Sequence, residues 1–209
     1  MISAKQNDLI NDSVRKSKCI SDWTAEQLNN LRIPSLPHDQ RLQISTSCLH
    51  LAIEHSQAII VLVDSELYGS ALALQRPLFE ALTRGIWLRY YATNKEVADA
   101  IQDKFPKIDK LIQNSLPPYN QKDSSPLQAL KEKWWRVLCS YTHPGSQQLY
   151  ARLSSTGLCS NYECDEVMTA LLWSDMAHLF SGMELALASS NELLAKTFLN
   201  HMNSYIGPS

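Results

Sequence analysis

The sequence predicts an all-α protein built as an up-and-down helical bundle, and three observations support this fold class. Glycine is scarce, with six among 209 residues. The long segments between chain breakers repeat their apolar residues with the period of a helix, rather than alternating as strands do. Apolar residues make up 44% of the chain and charged residues 19%, as is usual for a protein with a sizeable core.

The first 38 residues are predicted to form a helical extension that precedes a single bundle domain over residues 39–209. A short helix is expected to open near Asn7. A second short helix is expected to begin at Thr24, because Gln27 follows it at the spacing of a capping box. The two prolines within residues 32–38 should then end this helix.

Two long helices are predicted to form the antiparallel centre of the bundle. The first runs over residues 39–67 and the second over residues 69–91, with Tyr68-Gly69-Ser70 as the turn between them. Apolar residues cover well over half of the circumference of the second helix, so that helix should be buried. A shorter third helix is expected to be capped by Asn94, and Pro106 suits the first turn of a fourth.

The C-terminal half is predicted to contain three further helices. One should begin at Ser125-Pro126, because proline is favoured in the first turn, and should end at His143. The last two helices should run over residues 163–189 and 192–205. Loops are expected over residues 116–125 and 154–161.

The composition carries no signal of a membrane, secreted or metal-binding protein. The longest strongly apolar run, residues 58–63, ends at Asp64 and is far shorter than the roughly 20 residues of a membrane span. The N-terminal residues include no apolar segment like that of a signal peptide, so we expect a cytoplasmic protein with no membrane partner. The five cysteines are odd in number and show no CxxC spacing, so we expect free thiols, no metal and no cofactor.

Three charged residues occupy the one polar stripe of the second long helix. Arg76, Glu80 and Arg84 follow each other at intervals of four residues. Because an unpaired buried ion costs several kcal/mol, we expect Glu80 to pair with one arginine or with both. Pro77 should kink the helix beside them. The group is either an ion network that gives structural specificity, or an anion clamp with one arginine partly free.

The helix that ends at His143 carries a second notable pair. Arg136 and His143 are seven residues apart, almost two turns, so they share a face that is nearly opposite the apolar stripe. Pro144 follows His143 and places it at the helix C-terminus, where the helix dipole favours a protonated imidazole. The pair is either a site for proton transfer and charge stabilisation, or a solvated face with an incidental histidine.

These segments resemble known motifs. The segment Arg136-Val137-Leu138-Cys139-Ser140-Tyr141-Thr142-His143 fits R-x6-H and resembles the R-x4–6-H motif of the HEPN superfamily. The pattern that joins Arg76-Pro77-Leu78-Phe79-Glu80-Ala81 to Thr142-His143-Pro144-Gly145 resembles an uncharacterised HEPN-like bacterial family over about residues 40–190. HEPN proteins are α-helical bundles. Many are metal-independent RNases of toxin–antitoxin, abortive-infection and CRISPR-linked systems.

The resemblance implies a metal-independent endoribonuclease of a toxin or phage-defence type, which acts on RNA as a homodimer. Arg136 would stabilise charge on phosphate, and His143 would move a proton. Arg76, Glu80 and Arg84 would orient this pair or hold the phosphate. Some HEPN domains are inactive, which implies the alternative of a non-catalytic dimerisation or interaction module that binds an antitoxin, another protein or a nucleic acid.

Overall fold

The computed structural model describes residues 2–29, 31, 39–114, 126–143, 145–155 and 157–206, and it confirms the predicted all-α bundle. Within these residues there are nine helices and one small antiparallel sheet. The helices are α1 (Ala4–Asn29), α2 (Gln40–Asp64), α3 (Tyr68–Tyr90), α4 (Asn94–Ile101), α5 (Ile108–Asn114), α6 (Pro126–Thr142), α7 (Ser146–Tyr150), α8 (Cys164–Ala188) and α9 (Glu192–Ile206). The two strands are β1 (Leu153–Ser154) and β2 (Gly157–Leu158).

The centre of the bundle consists of α2, α3 and α8. Since only residues 65–67 join α2 to α3, these two helices are antiparallel, which confirms the predicted centre. Their close approach depends on Gly85, where a Cβ atom would lie 2.8 Å from Leu49 Cγ. Helix α8 packs across both, α1 and α9 pack on α8, and α5 and α6 pack on α3. The charged stripe of α3, which consists of Arg76, Glu80 and Arg84, lies on the side of α3 that faces α5 and α6.

Helix α2 is, among the described residues, the one helix that is long and apolar enough to cross a membrane by length and composition alone. Nine of its residues are buried, and the helix packs against α3 and α8. A central helix of a bundle meets the same criteria. The absence of a membrane partner stays a prediction.

The N-terminal segment differs from the prediction of two short helices, because α1 is continuous. Thr24 does not cap a second helix and lies inside α1, completely buried. Residues 4–29 contain neither proline nor glycine, and packing against α8 favours an unbroken helix. Ile10 and Val14 belong to the principal hydrophobic core, so α1 is packed into the bundle. The break predicted at residues 32–38 lies outside the described residues, and the division into residues 1–38 and 39–209 stays a prediction.

Several helix ends also differ from the predictions. The N-cap of α4 is Thr93 rather than Asn94, because the Thr93 side chain accepts from the Glu96 amide and the Glu96 side chain reaches back to Thr93. Helix α5 begins two residues after Pro106. Strands β1 and β2 overlap the predicted loop over residues 154–161. The predicted loop at residues 116–125 lies outside the described residues.

Helix α8 carries two completely or almost completely buried titratable side chains. Asp175 Oδ2 accepts hydrogen bonds from the Ser17 hydroxyl at 2.7 Å and from the Tyr205 hydroxyl at 2.5 Å. His178 Nδ1 lies 3.2 Å from Ser56 Oγ. The Ser56 hydroxyl donates its own hydrogen to the Ser174 carbonyl oxygen in α8, so His178 Nδ1 is the donor to Ser56 Oγ. Asp175 Oδ1 and His178 Nε2 are buried without a hydrogen-bond partner. These groups join α1, α2 and α9 to the polar side of α8.

Candidate functional site

The charged stripe of α3 forms a continuous ion network. Glu80 Oε1 lies 2.8 Å from Arg76 Nε, and Glu80 Oε2 lies 3.2 Å from Arg84 Nη2. The three side chains are partly buried, with 20% of Glu80, 24% of Arg76 and 36% of Arg84 exposed. The predicted pairing of Glu80 is thus confirmed with both arginines. One carboxylate between two guanidinium groups leaves an excess of positive charge on this stripe.

Aromatic rings hold the two arginines in place. The Arg76 guanidinium lies 4.9 Å from the centre of the Trp135 ring, and Trp135 in turn packs against Phe79 with ring centres 6.0 Å apart. The Arg84 guanidinium lies 4.6 Å from the centre of the Phe105 ring. Arg84 Nε is buried and makes no hydrogen bond. Contact of a cation with an aromatic face fixes its direction at small cost in entropy, so both guanidinium groups are preorganised.

Pro77 connects this stripe to α6. Proline has no amide hydrogen, so the carbonyl of Ala73, four residues earlier, lacks its helical donor. The Thr142 hydroxyl lies 3.3 Å from that carbonyl oxygen and 2.9 Å from the carbonyl oxygen of Leu138 in its own helix. The last turn of α6 is therefore held against α3 at the position that proline leaves open. The residue after Thr142 is His143.

His143 meets Arg76 at this junction, which we call the α3–α6 seam. Arg76 Nη1 and His143 Nε2 are 3.1 Å apart, although 67 residues separate them in the chain. A guanidinium nitrogen can only donate, so His143 Nε2 is the acceptor in this contact. His143 is exposed at the end of α6. The seam thus presents to solvent the Arg76 guanidinium beside the His143 imidazole.

Arg136 lies on the same helix but takes no part in this contact. Its side chain is exposed, and among the described residues it makes no hydrogen bond or ion pair. At ~1.5 Å rise per residue, Arg136 and His143 are about 10 Å apart along the helix axis. The structure brings Arg76, Glu80, Arg84 and His143 together and leaves Arg136 almost two helical turns from His143, on the exposed side of α6.

A groove of about 440 Å³ adjoins the α3–α6 seam. Its walls are the charged stripe of α3, the segment between α4 and α5, the start of α5, and Trp135 of α6. Beyond the stripe it is lined by Asp103, Phe105, Pro106, Lys107, Ile108, Asp109, Leu111 and Trp135. Asp109 forms an ion pair with Lys131 of α6, which balances part of its negative charge. The groove is open, polar and rich in cations on the α3 side.

A hydrogen-bonded cluster supports the segment that follows His143. The Gln148 side-chain nitrogen, Nε2, donates to the Gly69 carbonyl oxygen at 2.8 Å and to the Tyr141 carbonyl oxygen at 3.1 Å. The Tyr162 hydroxyl donates to Gln148 Oε1 at 2.9 Å. At Gly69 a Cβ atom would lie 2.4 Å from the Tyr162 hydroxyl, so only glycine admits this contact. The cluster fixes both ends of the turn in which His143 lies.

The sequence pointed to these functional groups but not to their arrangement. Spacing within a helix indicated the Glu80 pairs, yet nothing local indicated that Arg76 contacts His143. The one usable signal is Pro77, which implies a free carbonyl that some donor must satisfy. The groove residues Asp103, Lys107 and Trp135 were missed because they come from two segments that are distant in the sequence, the α4–α5 connection and α6. Within the described residues no three His, Cys, Asp or Glu side chains are grouped as metal ligands, and the five cysteines are free thiols as predicted.

The model of a family described as a family of unknown function, DUF6988, matches residues 49–207, which include both sides of the α3–α6 seam. No curated protein and no solved structure matches the chain.

Proposed function

The chain belongs to the DUF6988 family, whose function is unknown, and from the α3–α6 seam we propose that it is a metal-independent endoribonuclease of HEPN-like type. The observation that carries this proposal is the contact of 3.1 Å between Arg76 and His143. It joins a cation that can bind an anion to an imidazole on an exposed surface. Cleavage of RNA through its own 2′-hydroxyl is accelerated by a proton-transfer group and by a positive charge at the phosphate.

In the proposed reaction His143 is the proton-transfer residue. A phosphate that enters the seam takes the Arg76 Nη1 hydrogen bond from His143, which frees the lone pair of Nε2. His143 then removes the proton of the 2′-hydroxyl, the 2′-oxygen bonds to phosphorus, and the bond from phosphorus to the 5′-oxygen breaks. The proton returns to the departing 5′-oxygen. The products are a 2′,3′-cyclic phosphate and a 5′-hydroxyl.

The arginines supply the charge that this reaction needs. Arg76 offers guanidinium hydrogens to the phosphate oxygens, whose negative charge grows as the fifth bond to phosphorus forms. Glu80 holds Arg76 through Nε, and this leaves the end of the guanidinium directed at the seam. Arg136 adds positive charge from the open side of α6, either in the same chain or across a homodimer.

The proposal predicts the following result for the unaltered protein. An end-labelled RNA oligomer incubated with the protein in EDTA should be cut into fragments that carry 2′,3′-cyclic phosphate and 5′-hydroxyl ends. The same oligomer with 2′-O-methyl groups should stay intact, because its nucleophile is blocked. RNA that remains intact at high protein concentration would contradict the proposal, as would cleavage of the methylated oligomer.

A second candidate function, a non-catalytic interaction module, is favoured by one surface. Four large apolar residues on α7 and the β1–β2 hairpin are exposed, and they follow the turn at His143 directly: Leu149, Tyr150, Leu153 and Leu158. A patch of this kind is typical of a protein–protein interface. It suits a second copy of this chain, an antitoxin or another protein, and it is compatible with a catalytic homodimer.

A further inference from the structure

Buried polar atoms without hydrogen-bond partners are concentrated at one place in the bundle, where α1 packs on α8. Within the described residues, five buried side-chain nitrogen or oxygen atoms make no hydrogen bond. Four of the five belong to α1 and α8: Thr24 Oγ1, Asp175 Oδ1, His178 Nε2 and Ser181 Oγ. A buried polar group that has lost its hydrogen bonds to water destabilises the fold unless something replaces them. Four such groups on two packed helices therefore indicate a shared partner.

Two contacts fix the register of α1 against α8. The Cys164 thiol lies 3.8 Å from the Gln6 carbonyl oxygen, and the Ser17 hydroxyl donates to Asp175 Oδ2 at 2.7 Å. The members of each pair are 158 residues apart in the chain. Because this offset is the same at both contacts, the two helices run parallel along their shared length.

This register brings the four unpartnered groups close together. It places Thr24 within one residue of the level of Ser181, and Thr24 shares a helix face with Ser17, seven residues earlier. On α8, Asp175, His178 and Ser181 follow each other at intervals of three residues, a spacing that makes side chains neighbours on a helix surface. Each of the four residues is at most 1% exposed. We call Thr24, Asp175, His178 and Ser181 the α1–α8 polar cluster.

The donors and acceptors of this cluster determine what it can bind. His178 Nδ1 donates to Ser56, so Nε2 carries no hydrogen and can only accept. The ionised Asp175 carboxylate also only accepts, whereas the Thr24 and Ser181 hydroxyls can donate and accept. Water offers two hydrogens and two lone pairs, which matches this set. A metal ion does not match it, since no three His, Cys, Asp or Glu side chains are grouped as metal ligands in the part of the chain that the structure describes.

We propose that the α1–α8 polar cluster is a buried water site. Ordered water donates hydrogen bonds to the two acceptors, Asp175 Oδ1 and His178 Nε2, and accepts hydrogen bonds from the two hydroxyls. It replaces the hydrogen bonds that these groups lose on burial, and it joins α1 to the central helix α8. The site shares no residue with the α3–α6 seam and does not depend on the reaction proposed there.

Removal of one hydroxyl at a time tests the water site, because the sign of the effect differs between a hydrated and a dry cluster. Thr24→Val keeps the shape of the side chain, and Ser181→Ala removes only the hydroxyl. If water is bound, each change costs it a hydrogen-bond partner and should lower the melting temperature by about 2–6 °C. The double variant should lose less than the sum of the single losses, because both hydroxyls bind the same water. In a dry cluster each change would remove an unsatisfied buried group and raise the melting temperature.

The matched controls are Thr197→Val on α9 and Ser47→Ala on α2. Both hydroxyls donate to a carbonyl oxygen of their own helix, and neither residue is buried. Each control should change the melting temperature by less than about 2 °C. A high-resolution crystal structure gives the direct readout, electron density for water within about 3.2 Å of His178 Nε2. A melting temperature that matches or exceeds that of its control in either test variant, or a cluster without such density, would overturn the water site.

Discussion

Replacement of His143 by alanine should lower the rate of RNA cleavage about 100- to 10,000-fold, the range for loss of a general acid–base residue. The side chain lies exposed at the end of α6 and, within the described residues, forms a hydrogen bond with one side chain, that of Arg76. Its removal should therefore leave the helical content and the melting temperature close to the wild-type values. The measurement is the single-turnover rate on an end-labelled RNA oligomer in EDTA.

The matched control for this experiment is His50→Ala. His50 is also exposed, and it lies on α2 beside Thr46, Leu51 and Glu54, a surface distinct from the α3–α6 seam. The control should cleave at the wild-type rate. If His143→Ala retained the wild-type rate, another group would move the proton and the assignment of His143 would be wrong.

The unfolding free energy of the protein should depend on pH through two buried side chains of α8, Asp175 and His178. Burial raises the pKa of Asp175 from 3.8 to about 6, although the hydrogen bonds from Tyr205 and Ser17 lower it. Burial lowers the pKa of His178 from 6.5 to about 4. Each of these changes in pKa corresponds to roughly 3 kcal/mol of unfolding free energy. As pH falls, the two groups change the unfolding free energy in opposite directions.

The signs follow from which state binds the proton. As pH falls from about 6 to 3.8, the native state binds a proton at Asp175 before the unfolded state does, so stability increases. As pH falls from 6.5 to about 4, the unfolded state binds a proton at His178 first, so stability decreases. In the wild-type protein the two contributions largely cancel across nearly the same pH range.

Variants at these two positions should separate the contributions. Asp175→Asn leaves His178 unopposed, so its unfolding free energy should fall by roughly 3 kcal/mol more than that of the wild type between neutral pH and pH about 4. His178→Gln should show the opposite difference from wild type. Urea unfolding at a series of pH values measures both. Parallel pH profiles for the three proteins would show that neither side chain is buried as described.

The accuracy of the sequence predictions depended on how local each interaction is. The Glu80 pairs with Arg76 and Arg84 were predictable because four-residue spacing alone brings these side chains together on a helix. The limits of α8 and α9 were predictable to within one residue for a similar reason, since long periodic segments flanked by polar residues define them.

Interactions between distant segments were not predictable in the same way. Thr24 has the spacing of a capping residue, but its burial in α1 depends on how that helix packs in the bundle. The contact of Arg76 with His143 requires α6 to dock at Pro77, and no periodicity in either segment encodes that register. The groove depends on Lys107 and Trp135, which only the folded chain brings to the same place.

A double-mutant cycle on the cleavage rate tests the central claim, that Arg76 and His143 act together on one phosphate. Arg76→Ala should lower the rate about 100- to 1,000-fold, the usual cost of losing one charge-stabilising donor. Because the two groups serve one transition state, the Arg76→Ala, His143→Ala double variant should be scarcely slower than the slower single variant. A double variant whose loss equals the product of the two single losses would contradict joint action at the α3–α6 seam.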